Sequence, residues 1–240
     1  MAFVNLNPIP KSVLAIGAHP DDVEFNCFGT LAKWSKFGSN IQIAIMTDGS
    51  KGTWNENEDL KQLVKTRKKE QISAAELIGS SVYFLDYVDG ELEHKRSTVG
   101  QVTKLIRQTK PEVIITHDPF KKYRLHPDHR NCGMIVFDAV VAARDPHFFK
   151  ELNLKHHRSN KMLLFEQEET DHLEVISDYI EIKVNALLKH VSQYESTMDI
   201  TDKKDVQQID KFYKWIQEIA NSAGSSIKQP AESFKLIENI

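Results

Sequence analysis

Ser12-Val13-Leu14-Ala15-Ile16-Gly17-Ala18-His19-Pro20-Asp21-Asp22 passes in one step from an apolar run to a polar turn. The run is short and apolar throughout, the pattern of a strand buried on both faces of a parallel sheet. The turn places an imidazole and two carboxylates within four residues. Pro20 fixes its own φ and biases His19 toward an extended conformation. Alone, the turn reads almost equally well as a polar loop with an aspartate capping a helix.

Outward from this stretch, strands and helices alternate. A helix is expected from about Gly29 to Phe37, stopped by Gly38, and a second strand over 41–47. Thr47 to Thr53 is rich in turn residues. A charged but periodic helix follows over 60–78, then strands at 82–85 and 112–116 flanking a helix at 98–109. This alternation predicts an α/β chain with a mainly parallel sheet, right-handed crossovers and helices on both faces. Ligands bind beyond the carboxyl ends of such strands. The residues that follow the four strands are His19–Asp22, Asp48–Gly52, Asp86–Gly90 and His117–His129. Beyond them, helices are expected at 128–143, 180–193 and 205–220, with strands at 161–166 and 234–237. No repeat or linker divides the chain, so residues 1–240 read as one domain.

His126-Pro127-Asp128-His129 is the second cluster. Proline suits the first position of a helix, and residues three apart share a helix face. Together the two clusters offer several histidines and aspartates and no matching cysteines. That donor set suits a catalytic zinc, which takes nitrogen and oxygen ligands from three side chains and keeps a position open. Spacing alone does not divide the roles of Asp21 and Asp22, or of His126 and His129.

Composition narrows the alternatives. The 240 residues carry 34 acidic and 31 basic side chains, net charge −3, which gives no electrostatic case for nucleic-acid binding. No stretch approaches the roughly 20 apolar residues of a membrane helix. The N-terminus lacks the basic flank and apolar core of a secretory signal. Cys27 and Cys132 lie far apart and read as buried free thiols of a reducing, cytoplasmic compartment. The first turn has no GxGxxG, and its carboxylates stand where a pyrophosphate would sit, which excludes a dinucleotide site.

The two clusters, Ala-His-Pro-Asp-Asp after the first strand and a later His-x-Asp-His, resemble the signature of the LmbE-like, or PIG-L, family of zinc-dependent N-acetylglucosaminyl deacetylases. The resemblance continues through Gly29-Thr-Leu31, Arg67-x-x-Glu70, Asp89-Gly90 and His190-x-Ser-Gln193, and so spans most of residues 12–195. It implies a Rossmann-like fold and removal of an acetyl group from an amino-sugar conjugate. It implies that His19, Asp22 and His129 ligate zinc, or another divalent metal, and that Asp21 is the general base. His126 would polarise the acetyl carbonyl, stabilise the oxyanion or protonate the leaving amine. Asp128 would orient His126 or tune its pKa. Arg67 is a candidate for holding a sugar hydroxyl or an anionic group, or reads as a solvated charge in the run Lys65-Thr-Arg-Lys-Lys69, and Asp89 is a candidate for sugar hydroxyls or a turn aspartate. Tyr123 is a candidate for the carbonyl, although it stands three residues before His126 where some family members have a tyrosine two before.

His117 is expected to make a local hydrogen bond, and His190 to be structural. Trp34 and Trp215 read as core, and Trp54 as the best sugar-stacking candidate. The competing readings are a metal-dependent amidase acting on another acyl amide and a catalytically silent sugar binder. The particular conjugate, and whether the chain is a homo-oligomer, are not legible in the sequence.

Overall fold

The computed structural model describes residues 3–240. Elements run in chain order β1 (Phe3–Val4), β2 (Ser12–Gly17), α1 (Asp22–Lys36), β3 (Asn40–Thr47), α2 (Leu60–Glu76), β4 (Ser81–Tyr87), α3 (Arg96–Thr109), β5 (Val113–His117) and α4 (Pro127–Arg144). They continue with β6 (Lys161–Phe165), β7 (His172–Val175), α5 (Ile180–Leu187), α6 (Tyr194–Thr197), α7 (Val206–Ala223) and β8 (Ala231–Glu238). One eight-stranded sheet has the order β1-β7-β8-β6-β5-β2-β3-β4. β2 is parallel to β3 and β5, β3 to β4, and β5 to β6; β8 alone runs antiparallel, between β6 and β7.

The side-chain period of two builds two cores from β2. Leu14 and Ile16 face α3 and α4, with Met46 and Ile114 beside them. Val13 and Ala15 face the opposite way, onto Leu31 and Trp34 of α1. The sheet is therefore covered on both sides, and its central strands read as apolar runs for that reason. A satellite core of Ile180, Val184, Phe212 and Ile216 joins α5 to α7. Cys27 and Cys132 are buried free thiols.

The mainly parallel sheet with helices on both faces matches expectation; the departures are local. α1 begins at Asp22 instead of near Gly29. Its polar first turn reads as loop in sequence, but Val23 and Cys27 already line the core. α5 ends at Leu187, and residues 188–193 form turns before α6 in place of a helix running to 193. Trp34 is core, whereas Trp215 lies 44% exposed on α7, beside Phe25 and Phe212. Among the described residues no helix is long and apolar enough to cross a membrane.

Topology places the site. From β2 the chain adds β3 on one side and, later, β5 on the other, so the crevice at the carboxyl end of β2 is a switch point of the kind that holds ligands.

Candidate metal-centred active site

The first half of the site is the turn after β2. At Gly17 an added Cβ would stand 3.0 Å from Asp22 Cβ, a tight contact, so a side chain there would press on the turn. His19 N–H donates to Asp22 Oδ2 at 2.7 Å and closes the turn. Asp21 takes a left-handed backbone (φ 106°), a conformation that aspartate and asparagine tolerate better than most residues. Arg67, 2% exposed, holds the turn from α2. Its Nη1 donates to Gly49 O at 2.8 Å and its Nη2 to Pro20 O at 2.5 Å, with Asp21 Oδ2 3.4 Å away.

The second half is the start of α4. Pro127 occupies the first turn, and His126 Nδ1 accepts the Asp128 N–H at 3.3 Å as a cap. This turn buries Asp128 and His129 and aims both at His19. His19 Nδ1 lies 3.1 Å from His129 Nε2 and 3.3 Å from Asp22 Oδ2, and His129 Nε2 lies 3.4 Å from Asp22 Oδ1. Ligands at about 2.0–2.1 Å from a tetrahedral zinc are about 3.3–3.4 Å apart. These four atoms, one nitrogen from each imidazole and both Asp22 oxygens, stand at the spacing of ligands around a small divalent ion.

The outer atoms of the two imidazoles support this fit. His19 Nε2 faces Asp89 Oδ1 at 3.1 Å and Asp128 Oδ2 at 3.2 Å. A proton held there leaves the Nδ1 lone pair free for the centre. His129 Nδ1 faces Glu166 Oε2 at 3.2 Å and also meets the Arg124 guanidinium, which itself pairs with Glu166. Carboxylates behind imidazoles fix the tautomer and raise ligand basicity. Burial opposes a charge on His19, but Asp128, Asp22 and Asp89 outweigh it and raise its pKa well above the usual histidine value. Metal binding must therefore compete with a proton at His19.

His117 lies deeper than a strand-end histidine with only a local bond. Its Nε2 accepts the Ala18 N–H at 3.1 Å and stands 3.2 Å from Asp22 Oδ2, and its Nδ1 meets Glu166 Oε2 at 2.8 Å. Asp22, His117 and His129 form a second group able to hold an ion, as do His19, His126 and His129. The Ala18 N–H occupies the His117 lone pair nearest the centre, whereas His19 Nδ1 accepts from no backbone amide.

Glu166 was not singled out in sequence. It follows β6 in a left-handed conformation (φ 60°) and also pairs with Arg124 through Oε1 at 2.5 Å. Burial works to raise its pKa, but His117 and His129 outweigh it and hold it at about 2. The one signal available was position, since Glu166 leaves the same sheet edge as His117. Glu166→Gln should weaken metal affinity about 10–100-fold, the usual cost of losing a supporting partner. Competition with a chromophoric chelator measures this, and an unchanged affinity would remove Glu166 from that role.

Asp21 and His126 flank the cluster. Asp21 N–H donates to Gln71 Oε1 at 3.2 Å, and Gln71 Nε2 donates to Glu24 Oε1 at 2.7 Å. Buried His190 lies 3.6 Å from Glu24. Burial pushes the Asp21 carboxyl up to about 6, against the pull of Arg67. The His126 ring stands edge-on to His19 with centroids 4.6 Å apart. Burial, then His19 and His129, lower its pKa, so the imidazole favours its neutral form.

The geometry gathers His19, Asp21, Asp22, His126, Asp128 and His129 in one crevice. Four residues take places other than those expected. The Asp128 carboxylate turns to His19 and to the N–H groups of Gly90 (2.6 Å) and Leu92 (3.2 Å), and only its backbone meets His126. Asp89 is buried against His19 and accepts the Lys51 N–H at 3.0 Å. Arg67 braces the turn from within. Tyr123 is 93% exposed on the loop before His126.

A cluster of buried histidines and aspartates at a switch point, with one further buried carboxyl beside it, is the arrangement of a metal-assisted hydrolase. The chain belongs to the PIG-L family: the description "GlcNAc-PI de-N-acetylase" matches residues 14–140. It is 31% identical over 188 residues to a diacetylchitobiose deacetylase of Thermococcus kodakarensis, covering 77% of this chain and 70% of that one. Its fold superposes on an N,N'-diacetylchitobiose deacetylase from Pyrococcus horikoshii with TM-score 0.86 and 28% identity, over 98% of this chain and 87% of that one. A 4-oxalmesaconate hydratase of Pseudomonas putida is 28% identical over 124 residues, 48% of each chain.

Proposed function

We propose that this chain hydrolyses the acetamide of an N-acetylglucosamine-type sugar conjugate and releases acetate. The observation that carries the reading is the three-cornered group of His19 Nδ1, Asp22 and His129 Nε2 with Asp21 beside it. Zinc is the ion we assign, held by His19, Asp22 and His129, and when bound it supplies a Lewis acid and lowers the pKa of water.

The chain's own residues do the remainder. Asp21 takes the proton of the attacking water; a carboxyl pushed up to about 6 is matched to that task. His126 stands on the open side of the cluster, where its neutral ring donates a hydrogen bond to the oxyanion, and the proton that Asp21 took from the water passes to the leaving amine. Asp128 and Asp89 fix His19, Glu166 fixes His129, and Arg67 fixes the turn carrying Asp21. Residues 1–240 act as one unit, because β8 near the C-terminus lies inside the same sheet as β2, between β6 and β7. The buried free thiols support a cytoplasmic location.

An acetate-release screen over N-acetylglucosamine conjugates, at defined metal content, tests the proposal. Release from at least one conjugate is expected. With metal bound and no acetate from any, the deacetylase reading fails; turnover of another acyl amide would then identify an amidase, and addition of water to an unsaturated acid a hydratase.

A further inference from the structure

α2 holds the catalytic turn by a single peptide. Arg67 and Gln71 stand one helical turn apart and share a face of α2. Arg67 Nη2 donates to Pro20 O at 2.5 Å, and Gln71 Oε1 accepts the Asp21 N–H at 3.2 Å. That carbonyl and that N–H belong to the same peptide unit, so its plane is gripped at both ends and cannot flip without losing both bonds. The orientation of the Gln71 amide is set in turn by Glu24, whose Oε1 accepts from Gln71 Nε2 at 2.7 Å. A carboxylate only accepts, so the amide nitrogen turns to Glu24 and the amide oxygen is left for Asp21. Gln71, Glu24 and His190 are all fully buried. Glu24 Oε2 faces His190 Nε2 at 3.6 Å, and neither that oxygen nor either His190 ring nitrogen has a hydrogen-bond partner among the described residues. Buried polar groups paired so sparsely are costly and call for a reason other than stability.

The grip decides what the Asp21 carboxylate can do. Asp21 stands at the cap position of α1, where an aspartate ordinarily takes an extended backbone and accepts a helix N–H with its side chain. Asp21 does neither: its φ is 106°, and its side chain caps nothing. A left-handed backbone at a residue other than glycine persists only where the surroundings over-determine it. Here the surroundings are Arg67, Gln71 and Glu24. Released, the peptide would turn over, and the carboxylate would be drawn to the first N–H groups of α1, which attract an anion. Held, it stays out of the cap, with Arg67 Nη2 at 3.4 Å.

We propose that Gln71 and Glu24 are positioning residues of the hydrolysis: they lock the Pro20–Asp21 peptide so that the Asp21 carboxylate serves the attacking water instead of capping α1. The inference rests on Asp21 as the base of the proposed reaction. Two variants of the metal-loaded full chain test it, at a temperature where each is folded. Gln71→Met removes the acceptor, and Gln71→Glu sets a second carboxylate against Glu24. Deuterium exchange of the Asp21 N–H, followed by NMR, needs no substrate and should become roughly tenfold faster in both. For a conjugate that the acetate screen identifies, kcat should fall about 10–100-fold, the cost of a misplaced group, with KM and metal content unchanged. Glu24→Gln added to Gln71→Glu supplies the missing donor and should recover most of both losses; added to Gln71→Met it should recover neither. An Asp21 N–H that exchanges as slowly in Gln71→Met as in the wild type, or a kcat that falls only as metal is lost, overturns the positioning role. If no conjugate releases acetate, the deacetylase reading falls, and the exchange rates still decide whether Gln71 and Glu24 hold the turn.

Discussion

Asp21→Asn should keep its metal and lose about 10²–10⁴-fold in turnover, the typical contribution of a positioned base. The substitution is nearly isosteric, and asparagine accepts the left-handed backbone at this position (φ 106°). Alanine would add strain and confuse the outcome. The bond from the Asp21 N–H to Gln71 survives, because it uses the backbone. Arg67 keeps Gly49 O and Pro20 O, so the turn stays braced although the contact to the carboxylate at 3.4 Å is lost. The fold should therefore melt close to wild type, and Asp22 with both histidine ligands is untouched. What disappears is the one carboxyl of the turn that is not turned toward the metal-binding atoms. Metal content by elemental analysis, acetate release and a melting curve on the same preparation separate the possibilities. Full activity with metal retained would place the base elsewhere in the crevice.

The strands and both clusters were legible because each rests on short-range pattern. Apolar runs of four to seven residues mark the parallel strands, and the order of strands alone places His19 and His129 at one edge. The partners behind the clusters were not legible, because each depends on two distant segments meeting. Asp128 reads in sequence as a neighbour of His126, two residues away. Once α4 begins at Pro127, its carboxylate leaves the helix toward β2 and the loop after β4, where His19, Gly90 and Leu92 take it. Arg67 sits in a run of lysines and looks solvated, yet α2 packs that face over Gly49 and Pro20. Glu166 carries no motif; only the register of β6 beside β5 brings it level with His117. α1 was read late for a related reason: its first turn is polar because the site needs Asp22 and Glu24 there, and function overrode the apolar signal of a helix start.

His129→Ala should lower metal affinity by more than the about 10–100-fold expected for a supporting residue, and activity should fall with metal content. The competing assignment puts His117 in the ion's coordination shell with Asp22 and His129, so the comparison with His117→Ala is decisive. His117 Nε2 already accepts the Ala18 N–H, and its Nδ1 bonds Glu166. Its removal costs Asp22 and Glu166 a partner but takes no free lone pair from the centre. Affinity in His117→Ala should accordingly stay within the supporting range, and excess metal should restore turnover. His19→Ala should instead behave like His129→Ala, since Nδ1 of His19 is 3.1 Å from His129 Nε2 and 3.3 Å from Asp22 Oδ2. Chelator competition on the three variants ranks them directly. Should His117→Ala lose metal as completely as His129→Ala while His19→Ala retains it, the coordinating set moves one strand over, to Asp22, His117 and His129. Asp21 would keep its place beside that set, because Asp22 belongs to both.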